Sequence, residues 1–138
     1  MTIRTMIIMT AILVSGCATK PLSNAESKPV PSERILDAQY LSISEDKGVV
    51  TVKRDEGFGG SACTSRIFVN GKPIADLNPA EKVVLYLPAD EYIISAWPNG
   101  ICGGGMVEVQ ANVKVESRLN FRVGYGSNGD FSIFPTAF

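Results

Sequence analysis

Histidine does not occur in the 138 residues, so the side chains available for chemistry are carboxylates, hydroxyls, lysines and three cysteines, Cys17, Cys63 and Cys102. Ser-His-Asp and Cys-His catalysis are excluded on that ground, and the commonest zinc ligand is missing as well. Two acidic pairs, Asp55-Glu56 and Asp90-Glu91, would suit glycoside cleavage if the fold set a carboxylate of one about 5–10 Å from a carboxylate of the other. The competing reading is solvated turn charge, and it fits the remaining acids, which are scattered through turns and polar faces. Glu45-Asp46 lacks the alternating acid spacing of a calcium loop. The expectation is a chain with no catalytic residue, no metal ligand and no cofactor.

Charge narrows the partners. The formal net charge is −1, and no run of Lys or Arg exceeds the pair Lys53-Arg54. Nucleic-acid binding needs a concentrated basic face that releases counterions, so that class of partner is not expected. Apolar residues at 45% and charged residues at 20% are the proportions of a folded protein, and the length suits one domain.

The elements that must position these residues begin with a leader. Arg4 precedes Met6-Ile7-Ile8-Met9-Thr10-Ala11-Ile12-Leu13-Val14, a run that is apolar except for Thr10. It is too short to span a bilayer, which takes roughly 20 such residues, and has the length of a signal-peptide core. Val14-Ser15-Gly16-Cys17 follows where the apolar core ends. These four residues resemble the lipobox of bacterial lipoproteins, in which a branched apolar residue and two small ones precede the cysteine that is lipidated. The resemblance implies cleavage before Cys17, a diacylglyceryl thioether on its sulfur and acylation of the new amine. Two or three acyl chains anchor stably where one binds marginally. Ala18 rather than Asp at the next position, by resemblance to enteric lipoprotein sorting, implies the periplasmic face of the outer membrane.

With Cys17 lipidated, Cys63 and Cys102 are left in an oxidising compartment, where thiols pair if geometry permits. Both sit in glycine-rich stretches, Gly57-Phe58-Gly59-Gly60-Ser61-Ala62-Cys63 and Asn99-Gly100-Ile101-Cys102-Gly103-Gly104-Gly105. Such loops cradle phosphates when a helix N-terminus and a lysine adjoin them, and neither is evident here. They also form adaptable binding rims, with Phe58, Trp97 and Ile101 as apolar anchors for a partner. Beside a paired cysteine, glycines more simply permit close backbone approach and positive φ.

Over 17–38 the composition predicts a flexible linker. Pro21, Pro29 and Pro31 are interleaved with Ser, Asn, Lys and Glu, and large apolar residues are scarce. A coil of that length averages about 25 Å end to end. From 39 to 138 the period becomes two. Val107, Val109, Ala111, Val113 and Val115 alternate with polar residues, as do Leu119, Phe121 and Val123, and parity allows the two strands to pair as a hairpin across Glu116-Ser117-Arg118. Further strands are expected at 48–54, 64–70, 72–75, 82–87, 91–97 and 130–134, with Asn70-Gly71 as a two-residue hairpin turn. The whole predicts an all-β fold of about seven or eight strands, a small antiparallel β-sandwich or small barrel.

Val69-Asn70-Gly71-Lys72, the stretch from Leu85 to Leu87, and Tyr92-Ile93-Ile94 resemble small proteobacterial lipoprotein β domains and the broader PEGA-like sandwiches. The chain departs from that pattern at Asp90, where those domains usually carry glycine. The resemblance spans about 49–123 and implies a sandwich with no activity attached. Together these readings predict a lipid-anchored envelope lipoprotein with a non-enzymatic binding or structural role toward another envelope protein. The alternatives are an inhibitor of a secreted or cell-wall-active enzyme, presenting a protruding loop near 97–105, and a peptidoglycan hydrolase.

Overall fold

The period-two pattern becomes a β-sandwich in a computed structural model that describes residues 19–137; the leader and Cys17 lie outside the described residues. Among the described residues nine strands form two sheets: β1 Lys28–Pro29, β2 Gly48–Arg54, β3 Ser65–Val69, β4 Lys72–Leu77, β5 Glu81–Leu87, β6 Asp90–Pro98, β7 Val107–Val113, β8 Arg118–Tyr125 and β9 Phe131–Pro135. The first sheet has the order β1-β5-β2-β8-β9 and the second β4-β3-β6-β7, and they do not join into a closed barrel. The core is the layer between them. Val50, Val52, Leu85, Leu87 and Val123 from the first sheet meet Ile67, Val69, Leu77, Ile94 and Val113 from the second, all at 2% exposure or less. Burying each such side chain stabilises the fold by about 1.5–3 kcal/mol before chain entropy is counted. The Asn70-Gly71 turn forms as expected, with both residues at positive φ (49° and 78°), and closes the β3–β4 hairpin.

Two expectations are corrected. β7 and β8 do not pair: β7 lies beside β6 in the second sheet, and β8 lies beside β2, parallel to it, in the first. Parity permitted the hairpin, but it permits equally a crossing from sheet to sheet that keeps Ala111 and Val113 on one side of the core and Phe121 and Val123 on the other. Glu116 takes the left-handed conformation (φ 62°) that this turn requires without a glycine. The pairs β1–β5 and β2–β8 are parallel and the rest antiparallel.

The segment expected to be a tether is packed from Thr19 onward. Leu22 is 4% exposed, and Val30 and Ile35 pack against the core. The amides of Lys28, Val30 and Leu36 donate to the carbonyls of Ala80, Lys82 and Ile74, each at 2.8 Å. Asn24 bridges strands, accepting from Lys53 Nζ at 3.1 Å and donating to Asn120 at 2.9 Å. The prolines do not prevent this, because the segment adds at a sheet edge, where a missing N–H costs no ladder bond. Composition alone counted too few apolar side chains; three well-placed ones and a backbone ladder suffice.

Candidate functional site

Strand directions bring both glycine-rich loops to one end of the sandwich. β2, β8 and β6 run into loops 55–64, 126–130 and 99–106 at that end, and the turn at 78–80 and the start of the described chain at Thr19 lie there too. Cys63 and Cys102 are joined by a disulfide, with Cα atoms 6.1 Å apart, as their compartment was expected to dictate. The Cys102 amide donates to Cys63 Sγ at 3.1 Å, and the Tyr125 hydroxyl donates to Gly103 O at 3.2 Å. Gly60 has φ 67°, and a Cβ there would sit 2.1 Å from the Tyr125 ring, so only glycine lets the 57–63 loop close over that tyrosine.

Beneath the disulfide lies a feature that the sequence did not disclose. β2 ends in Lys53 and Arg54, and Asp55 follows it; all three are 2% exposed or less. Arg54 follows Val50 and Val52 on the inner face and points into the end of the core. Its guanidinium donates to the carbonyls of Cys63, Leu77 (2.9 Å) and Gly60 (2.6 Å). Burial pulls its pKa below the usual arginine value, yet a fork of five donors matched to three carbonyls keeps the cation bound. The loop that carries Cys63 is thus fixed from below by a side chain of the central strand.

Asp55 was expected to be a solvated turn charge and is instead buried on the outer face. Arg122 pairs with it at 3.0 Å and the Thr19 hydroxyl donates to it at 3.3 Å. Burial pushes its carboxyl pKa up, and the neighbouring Arg122 opposes that shift without cancelling it. A Cβ at Gly124 would meet Asp55 Oδ2 at 2.6 Å and Thr19 Oγ1 at 2.8 Å, so the start of the described chain seats here because β8 carries no side chain at that point. Tyr125 O, at 2.8 Å, is the nearer acceptor of the same Thr19 hydroxyl, whose single proton the two oxygens share.

Of the three anchors read from the sequence, the structure places two in the loops at the disulfide end. Phe58 and Ile101 are 86% and 95% exposed and flank the disulfide from opposite loops. Trp97, 46% exposed, stands on the outer face of the second sheet, one strand position before the rim, opposite Arg66. Arg66 in turn makes a bidentate pair with Asp76, both bonds at 2.8 Å. Met106, not singled out in the sequence, is 48% exposed, and the β6–β7 register extended by one residue sets it beside Trp97. Alternation gave no warning of it because it precedes the strand. Away from the disulfide end, a concavity of about 400 Å³, lined chiefly by Val30, Ile35, Leu41, Ile43, Val84 and Tyr86, opens between the N-terminal segment and β5.

The acidic pairs cannot meet. Asp55 and Glu56 lie at the disulfide end, whereas Asp90 opens β6 at the other, a strand length of about 25 Å away. That exceeds either glycosidase separation. Among the described residues no group of Asp, Glu and Cys is placed to hold a metal, and no helix is long and apolar enough to cross a membrane. No protein-family model matches the chain, and no curated protein matches it.

Proposed function

We propose that the chain is a cell-envelope lipoprotein, held by acyl groups on Cys17 at the periplasmic face of the outer membrane, with a non-enzymatic binding or structural role toward another envelope protein. The observation that carries the reading is Val14-Ser15-Gly16-Cys17 at the end of an apolar leader, followed within two residues by a chain already packed on a disulfide-bonded sandwich. A stable bridge between Cys63 and Cys102 fits an oxidising compartment, which a lipobox leader would reach. An inhibitor would present a rigid polar or aromatic tip on the 97–105 loop. The tip residue is the aliphatic Ile101 among glycines, which favours the binding role instead.

Metabolic labelling with a fatty acid tests the anchor. Wild-type protein is expected to carry label and to sediment with membranes; Cys17→Ala is expected to carry none. Equal labelling of the two would contradict the proposal.

A further inference from the structure

Resting on that anchor, we propose that the disulfide end of the sandwich lies flush on the lipid bilayer, with Phe58 and Ile101 inserted at the boundary between headgroups and acyl chains. Thr19 is docked on Tyr125 O and Asp55, and Cys17 is two residues before it, so its Cα lies at most about 7 Å from that of Thr19. An acylated Cys17 sits at headgroup depth, and the end of the sandwich that holds Thr19 sits there with it. Phe58 is next to this point, for a Cβ at Gly57 would lie 2.9 Å from the Thr19 Cα. Ile101 is tied to the same place through the adjacent Cys102 and its bond to Cys63.

Chemistry points the same way. Phe58 and Ile101 are the two most exposed large apolar side chains among the described residues. The glycine stretches 57–63 and 99–105 contain no charged residue, and the exposed Glu56 and Asp130 that border them at this end stay at headgroup depth, in water, when the two apolar tips enter. Lys20, exposed at the same end, is placed for lipid phosphate. The far end differs in that its exposed apolar side chains, Ile43 and Val115, stand among the exposed charges Glu45, Asp46, Lys72, Glu91, Lys114 and Glu116, which a bilayer would have to strip of water. A protein partner at the rim would have to displace the lipid to which the chain is bonded. The bilayer is therefore the occupant, and the flank around Trp97 is left free for proteins.

The test uses the full lipoprotein reconstituted in vesicles of phosphatidylethanolamine and phosphatidylglycerol. In a Trp97→Phe background, single tryptophans are introduced as Phe58→Trp, Ile101→Trp and, at the far end, Ala89→Trp. All three positions are exposed, so the fold tolerates each change. With acyl mass present on Cys17, the first two are expected to emit to the blue and to lose emission in vesicles carrying brominated chains, more strongly for shallow bromines. Ala89→Trp is expected to do neither. Acylated protein in which positions 58 and 101 stay unquenched, or in which position 89 is quenched equally, overturns the inference and leaves the anchor standing. Absence of acyl mass overturns both.

Discussion

Replacing Cys63 and Cys102 together by serine is expected to lower the unfolding free energy by about 4 kcal/mol, the chain-entropy value for a bridge between residues 39 apart in sequence. For a domain of this size the melting temperature should fall by on the order of 15 °C. The bridge joins the loop that follows β2 to the loop that follows β6, and these strands belong to different sheets. Its loss therefore frees one end of the sandwich and leaves each sheet's ladder intact. Urea unfolding of the oxidised wild type against the double-serine variant reads the difference directly, with the midpoint moving. A loss under about 1 kcal/mol would mean that Arg54 and Tyr125 already hold the loops without it.

The second large effect is expected at Arg54. Changing it to methionine keeps most of the volume and removes the donors to the carbonyls of Gly60, Cys63 and Leu77. Each buried carbonyl left without that donor costs about 1–3 kcal/mol, offset in part because an apolar side chain need not be stripped of water as a cation must. The expected net loss is about 2–4 kcal/mol. Arg54→Lys should recover only part of it, since a point-like ammonium cannot span three acceptors as the planar fork does. Arg54 and the disulfide both hold Cys63, so removing both should cost less than the two separate losses added together. Denaturant titration of the single, lysine and combined variants checks each statement. An Arg54→Met variant as stable as wild type would show that water replaces the guanidinium without loss.

Strand positions were legible because each strand writes its own two-residue period. Gly48–Arg54 is found where it was expected, and β7 and β8 begin at or beside their predicted starts. Pairing was not legible, since period two says which face is inward and not which neighbour is alongside. The same Val113-to-Phe121 pattern serves a hairpin or a crossing between sheets, and the molecule uses the crossing. The packing of 19–37 was hidden for a different reason. Leu22, Val30 and Ile35 follow no short period, and the carbonyls of Ala80, Lys82 and Ile74 that hold the amides of Lys28, Val30 and Leu36 are remote in sequence. At the candidate site, glycines and cysteines marked the rim and the exposed tips Phe58 and Ile101. The buried Lys53-Arg54-Asp55 run looked like any charged strand end, because what satisfies it is remote in sequence: loop carbonyls for Arg54, Asn24 for Lys53, and Arg122 and Thr19 for Asp55.

Orientation on the membrane depends on the chain being docked from Thr19 onward rather than trailing as a coil. Hydrogen exchange on the full lipoprotein in vesicles measures this most directly, at the amides of Lys28, Val30 and Leu36. They are expected to exchange as slowly as those of the central strand β2, because opening them requires peeling the segment from β5 and β4. Exchange at the rate of an unstructured peptide would contradict it: the sandwich would then hang on a free linker, and nothing would press Phe58 and Ile101 toward the lipid.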